Sequence, residues 1–243
     1  MKAIVSTLAR YKKLTIFVSL IITLFLTIAA SSDSYDQGGK YRVYVVNLTK
    51  GQPFTPPVLA THDRDAELFD RGEEASFEVK EIAENGNLNP MVSLLTDNSA
   101  ISDFAVAVAG DPPPLMPGAV VSADLQANSR HDVLSMVSML ICTNDGFAGI
   151  DSTRLPRRYK FRAIRAYDAG TEINTEDFAD IVPPCPALTG VESTDAGTGA
   201  SNPDLAENGV VRRHRGVNGF ADLIPAIHDW QGPVGFMVIV RTD

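Results

Sequence analysis

The chain has 243 residues, 44% of them hydrophobic and 21% charged, a composition that excludes wholesale disorder and fits one large domain or two small ones. The chain has 21 Lys and Arg residues and 30 Asp and Glu residues. Four of the basic residues precede the first acidic one, Asp33. The chain from Asp33 onward therefore carries 17 basic and 30 acidic side chains, a net charge of −13. Such a surface repels phosphate backbones, which argues against nucleic-acid binding.

The first 32 residues read as a leader. Lys12 and Lys13 precede an uncharged apolar run over residues 14–30, which small residues follow through Ser32. This pattern predicts either a cleaved signal peptide or an uncleaved membrane anchor with its basic end in the cytoplasm. Either form places the body, residues 40–243, outside the cytoplasm, so the protein is expected to be secreted, periplasmic or on the cell surface. Contact with a membrane is expected only through an uncleaved leader.

The body reads mostly as β-strands separated by turns rich in proline and glycine. The segment 159–167 has mixed polar and apolar residues on both faces, which is typical of a strand near a sheet edge. Short strands at this spacing predict an all-β antiparallel sandwich in a single domain rather than alternating strands and helices. The predicted strands are residues 41–47, 103–109, 119–125, 133–142, 159–167 and 235–242.

Three further segments depart from this strand pattern. Residues 73–85 have early acids, a partly apolar face and an Asn-Gly stop, which predicts a helix. Residues 90–95 are predicted to form one short helical turn. Residues 183–208 are rich in Pro, Gly, Ser, Thr and Asp, and are therefore predicted to form a long exposed loop.

Sequence motifs of nucleophilic hydrolases and zinc proteases are missing from the chain. His62 lies in a polar cluster that reads as a solvated loop, and His214 lies in a short basic run that reads as a charged strand end. Cys142 and Cys185 are the only cysteines, too few for a structural zinc site. They either pair in an oxidising compartment or stay as buried free thiols, and the sequence leaves both open.

Oxygen-bearing side chains follow two predicted strands. Asn144 and Asp145 come after one strand, and Asp168 and Glu172 after another, with Gly170 between them to permit a tight reversal. Ca²⁺ prefers carboxylate and carbonyl oxygens, and loops at one end of a sandwich can bring such groups together. Solvation of two independent acidic turns is the alternative explanation.

Several segments together resemble the spondin N-terminal domain family over most of residues 41–243. They are the proline turns within residues 47–57, SMLICTNDGFAGID at residues 138–151, YDAGTE at residues 167–172 and the closing strand through residues 238–240. The resemblance implies a C2-like antiparallel β-sandwich, with one or two short helices, that binds Ca²⁺ through Asp145, Asp168 and Glu172. Glu172 stands where the animal members have aspartate, which keeps the charge but changes its reach.

Three functional hypotheses follow. The first is an exported, non-enzymatic calcium-binding module for extracellular binding, adhesion or matrix association, with an unidentified protein or glycan partner. The second is an exported metal-dependent hydrolase that uses the acidic cluster for acid–base work or to activate water. The third is an adhesion or matrix component that an uncleaved leader keeps at the membrane. The resemblance is to a stand-alone microbial form of the domain, so the guidance roles of the animal proteins do not transfer.

Overall fold

A computed structural model describes residues 38–108 and 114–243. The predicted leader, residues 1–32, lies outside these residues. Within the described segments, every helix is too short or too polar to cross a bilayer.

The described part of the chain contains nine strands, all paired antiparallel, and a few short helices. The strands are β1 Gly39–Asn47, β2 Val58–His62, β3 Ile101–Val106, β4 Val120–Ala127, β5 Val133–Met139, β6 Gly146–Arg154, β7 Tyr159–Asp168, β8 Arg212–Arg213 and β9 Gly235–Arg241. The α-helices are α1 Phe77–Asn85, α2 Asn89–Asp97, α3 Pro184–Thr189 and α4 Pro225–His228, and Phe178–Asp180 and Pro203–Leu205 form single 3₁₀ turns. The all-β prediction is confirmed.

The strands form one strongly curled sheet in the order β3-β2-β5-β6-β7-β9-β1-β4, with β8 paired to β7. Side chains of β3 and β2, at one end of the sheet, contact β4 at the other end. The Asp103 carboxylate of β3 accepts a hydrogen bond from the backbone N–H of Gln126 in β4 at 2.7 Å, and Thr61 of β2 donates to the Gln126 carbonyl at 2.5 Å. The sheet therefore nearly closes on itself, and its two halves pack face to face as a sandwich.

Strand β7 changes partner half-way along its length. Its first six residues pair with β9, whereas the segment 165–168 pairs with β6. In the strand order β7 lies between β6 and β9, so the prediction of a strand near a sheet edge is wrong for the sheet as a whole. Residues 159–164 nevertheless have a ladder on one side only, with β9, whereas residues 167–168 pair with both β6 and β8.

Two apolar clusters stabilise the sheet. One lies between the two halves of the sheet and includes Val43, Leu134 and Ile239. The other lies on the outside of β2, β5 and β6, where α1 and α2 cover the strands. Every residue of β5 is buried because both of its faces are covered, which explains its nearly continuous apolar sequence.

Helix α1 begins four residues later than the acid-rich segment predicts. The Ser76 hydroxyl accepts a hydrogen bond from the N–H of Val79 and caps the first turn. Gly86 ends the helix in the left-handed conformation, at φ 63°. Ile82, which is fully buried, packs with Val79 against the outer face of the sheet. The prediction of one short turn at residues 90–95 is extended to the nine-residue helix α2.

A disulfide joins Cys142 to Cys185, with a Cα–Cα distance of 5.1 Å. Cys142 follows β5, and Cys185 lies in α3, so the bridge fixes α3 against the core. Of the two states left open by the sequence, the free thiol is therefore wrong. Residues 183–208 are also not a plain exposed loop, since they contain α3 and a 3₁₀ turn.

His62 is a buried residue at the end of β2 rather than part of a solvated loop. Its Nδ1 lies 2.7 Å from the carbonyl of Asp63, and its Nε2 lies 2.7 Å from the hydroxyl of Ser135. Ser135 in turn donates to Asp151. Burial lowers the pKa of His62, partly opposed by the Asp63 carbonyl and by the charge of Asp151.

Replacement of His62 by Gln is expected to reduce the acid sensitivity of the fold. Because the folded pKa lies below the ordinary value of 6.5, the unfolded chain takes up a proton first, and stability is lost as pH falls below 6.5. Between pH 7.5 and 5.5 the wild type should therefore lose more stability than His62→Gln, by at most about 1.4 kcal/mol, the most that a single group with an unfolded pKa of 6.5 can contribute over this range. Urea denaturation at both pH values measures this. An equal loss in the two proteins would show that His62 does not contribute.

Candidate metal centre

The structure brings the three predicted ligands to one end of the sheet. Asp145 immediately precedes β6, Asp168 is the last residue of β7, and Glu172 follows four residues later. Gly146 pairs with Asp168 across the β6–β7 ladder. The N–H of Ala169 donates to the Asp145 carbonyl at 3.1 Å. The β6–β7 register therefore places the two acidic turns side by side.

The Asp145 carboxylate is fully buried. Its Oδ2 accepts hydrogen bonds from the N–H groups of Thr171 at 2.8 Å and Glu172 at 3.1 Å. Its Oδ1 is buried with no hydrogen-bond partner among the residues described. A buried carboxylate oxygen without a partner is costly and marks a position where a ligand would be favourable.

The Asp168 carboxylate is held by its own turn and by a cation. Its Oδ1 accepts from the N–H of Gly170 at 2.9 Å, and its Oδ2 accepts from the Asn174 amide at 2.9 Å and from Arg212 at 3.3 Å. Gly170 has φ 71°, and a Cβ there would lie 2.6 Å from the backbone of Val210. Glycine is therefore required for the reversal that carries the chain from Asp168 to Glu172.

Two of the three carboxyl groups favour the neutral form. Burial, together with the charge of Asp168, raises the pKa of Asp145 to about 7. Burial, together with the charge of Glu84, raises the pKa of Glu172 to about 7. The oxygen Oε1 of Glu172 accepts one hydrogen bond, from the N–H of Asn202 at 3.3 Å. Crowded acids of this kind are stabilised by a proton or by a cation.

The carboxylates lie near one another but do not yet share a common centre. Within residues 38–108 and 114–243, two groups of three His, Cys, Asp or Glu side chains have one ligand atom from each residue within 4.8 Å of the other two. Asp145, Asp168 and Glu172 do not form such a group. The first group is Cys142, Cys185 and His228, in which the two cysteine sulfurs already form the disulfide. The second group is Asp177, Asp195 and Asp222, which are more exposed. A cation at the predicted site would have to draw its carboxylates closer together.

The family model for the spondin N-terminal domain, Spondin_N, matches residues 46–177, which is more than half of the chain. The chain belongs to the spondin N-terminal domain family. The resemblance carried by the sequence motifs is thereby confirmed, and membership indicates an extracellular type of domain. No curated protein sequence matches the chain.

The matched segment of this spondin domain contains all three candidate ligands. It does not contain the residues from later in the chain that line the site. Strand β8 brings Arg212 beside Asp168, where it also pairs with Glu207 at 2.7 Å. His214 follows, and its Nδ1 accepts from the N–H of Gly216 at 3.0 Å. The basic run was visible in the sequence, but only the pairing of β8 with β7 shows that it faces the acidic turns.

Glu176 is a second residue of the spondin domain that the sequence did not single out. It is buried at a positive φ of 60°. Its carboxylate accepts hydrogen bonds from the backbone N–H groups of Asn218, Gly219 and Phe220. One buried carboxylate therefore fixes the loop that carries these three residues, and Asn218 and Phe220 of that loop line a cavity with Asp168 of the candidate metal centre.

Trp230 is half-buried and packs against both apolar clusters. Its ring centroid lies 5.0 Å from that of His214. Phe147 and Ile150, which follow the first acidic turn in β6, are buried, Phe147 in the outer apolar cluster and Ile150 in the cluster between the two halves of the sheet.

Proposed function

We propose that this spondin domain is an exported, non-enzymatic module that binds Ca²⁺ through Asp145, Asp168 and Glu172. The observation that carries the proposal is the buried Oδ1 of Asp145, which has no partner in the described chain and adjoins two further carboxylates. Residues 1–32 would deliver the module to an extracytoplasmic compartment, where adhesion or matrix association is the expected role.

The donor set fits a hard cation. Ca²⁺ takes roughly six to eight oxygen ligands at about 2.3–2.6 Å and tolerates irregular geometry. Asp145, Asp168 and Glu172 offer only oxygen atoms, and the remaining positions fall to carbonyls, water or a bound partner. When bound, the ion supplies the positive charge that joins two mutually repelling turns. Arg212, which contacts Asp168 now, keeps its shorter ion pair with Glu207 as an alternative.

Calorimetric titration with Ca²⁺ tests the ligand assignment. Asp145→Asn and Asp168→Asn are each expected to weaken binding by about 100-fold, because each removes a charged ligand. Asp65→Asn is the matched control, since Asp65 is acidic and exposed but belongs neither to the predicted site nor to either of the close ligand groups. Unchanged affinity in both site variants would refute the assignment, and so would equal weakening in the control.

One observation favours testing the hydrolase alternative. His214 lines the same cavity as Asp168, although no histidine is close to either acidic turn in the sequence. A metal-dependent hydrolase would need such a titratable group beside its ion. Screening against esters, phosphoesters and glycosides separates the two functions. Metal-dependent turnover that Asp145→Asn abolishes would favour the enzyme over the binding module.

A further inference from the structure

A cavity of about 440 Å³ opens beside the candidate metal centre. Its volume falls within the range of roughly 300–1,000 Å³ that is usual for small-molecule sites. Its walls combine charged, amide and aromatic side chains from the second acidic turn and from the segment after β8. The residues that matter for its chemistry are Asp168, Asn174, Arg212, Arg215, Asn218 and Phe220.

The two arginines of the cavity differ in their availability. Arg212 already contacts Asp168 and Glu207. Arg215 is exposed, and no residue of the described chain forms an ion pair or a side-chain hydrogen bond with it. A guanidinium group can bind a carboxylate through two parallel hydrogen bonds. Because Asp168 and Glu207 are negative and close by, a singly charged carboxylate is favoured over a dianionic phosphate.

The amide groups of the cavity are suited to hydroxyl groups. The Asn174 amide donates to Asp168, and the Asn218 amide donates to Glu176 at 3.3 Å. The side-chain oxygens of both asparagines have no hydrogen-bond donor among the residues described. Two amide oxygens held by their own donated hydrogen bonds can therefore accept from a ligand that carries hydroxyl groups.

An aromatic ring stands at the rim. Phe220 is 77% exposed, although Glu176 fixes its backbone N–H at 2.8 Å. Because the backbone of this loop is fixed, the exposed ring is held at the rim, where a ligand in the cavity can contact it. Ile173, 48% exposed, lies on the wall of the same cavity. The apolar C–H face of a sugar ring would cover these side chains.

We propose that the cavity binds an acidic saccharide, with the uronate carboxylate on Arg215, ring hydroxyls on Asn174 and Asn218, and the ring face against Phe220. The proposal deepens the proposed function, because Asp168 belongs to both the cavity and the metal centre. It identifies the partner class of the module as a uronic-acid glycan. A bound Ca²⁺ would add a second positive charge at the Asp168 end of the cavity.

Titration with digalacturonic acid, in the presence of Ca²⁺, tests the assignment. Arg215→Gln is expected to weaken binding by about 10- to 100-fold and Phe220→Ala by about tenfold. Arg130→Gln, at an exposed arginine outside the cavity, is the matched control and should bind as the wild type does. The dimethyl ester of the same disaccharide should bind no better to the wild type than to Arg215→Gln. Absence of binding to the wild type, or equal binding by Arg215→Gln, overturns the proposal.

Two further titrations distinguish saccharide binding from acidic-peptide binding and from the calcium function. An acetylated Asp-Glu dipeptide that binds as tightly as the disaccharide would overturn the saccharide assignment in favour of an acidic peptide. Ca²⁺ titration of Arg215→Gln and Phe220→Ala should match that of the wild type. If Ca²⁺ fails to bind but the disaccharide binds through Arg215, the cavity assignment stands and the calcium function falls. If Ca²⁺ binds and the disaccharide does not, only the cavity assignment falls.

Discussion

Loss of the Cys142–Cys185 disulfide is expected to lower the free energy of unfolding by about 4 kcal/mol. The cysteines are 43 residues apart, so the bridge removes much of the freedom that the segment between them would have in the unfolded chain. The turn at Cys142 is held independently, since the Gln52 side chain donates to its carbonyl at 2.9 Å and accepts from its N–H at 3.1 Å. Reduction should therefore destabilise the domain without rearranging this turn.

Urea denaturation with and without a phosphine reductant measures the effect. The double variant Cys142→Ala/Cys185→Ala is the matched control. It should unfold near the midpoint of the reduced wild type and should not respond to the reductant. Identical midpoints for the oxidised and reduced wild type would contradict the prediction.

Calcium is expected to stabilise the wild type and to leave Asp145→Asn nearly unaffected. A ligand that binds only the folded state at 100 times its Kd adds about 2.7 kcal/mol. In a chelator at pH 8 the order should reverse, with Asp145→Asn the more stable protein. The amide keeps an acceptor for the two N–H groups at Thr171 and Glu172 but carries no charge to repel Asp168.

The pH dependence of the stability difference between Asp145→Asn and the wild type is the control for this prediction. The pKa of Asp145 in the folded protein, about 7, lies above its ordinary value of 3.8. The folded state therefore holds its proton where the unfolded chain has lost it, and the cost of the charge is fully present only above about pH 7. The advantage of Asp145→Asn in the chelator should shrink as pH falls from 8 to 5. Thermal unfolding scans at both pH values measure it. A metal-free wild type more stable than the variant at pH 8 would contradict the prediction.

The β-rich character of the fold could be predicted from local sequence patterns, but the ranges of β2, β6 and the two-residue β8 could not. β2 has five residues and follows a Pro-Pro pair, so it merges with the turn before it. β6 contains two glycines, which read as turn chemistry. Gly149 is explained only by a distant contact, since a Cβ there would lie 2.8 Å from the ring of Phe69. Tertiary packing decides these segments, and local propensity does not encode it.

The residue pattern left open a cation site and two solvated acidic turns, and the family resemblance favoured the site. Asp145 and Asp168 are adjacent because of the β6–β7 register, and their spacing in the sequence does not encode that register. Arg212 and His214 reach the site through β8, a two-residue strand whose basic run predicted a charged strand end but not its position beside the acidic turns. Glu176 fixes a loop more than 40 residues away in the chain. Long-range pairing, rather than residue type, created the parts that the sequence did not show.

Strands β1 and β9 are antiparallel neighbours, and Tyr41 pairs with Arg241 at their shared end. The N–H of Thr242 donates to the carbonyl of Lys40 at 2.8 Å. Pulling outward on Gly38 and Asp243 together would therefore unzip this ladder one hydrogen bond at a time, instead of loading all of its bonds in shear. A short linker between Gly38 and Asp243 would hold this end of the ladder together. A circular permutant built on that linker would leave Asp168, at the far end of the sheet, undisturbed.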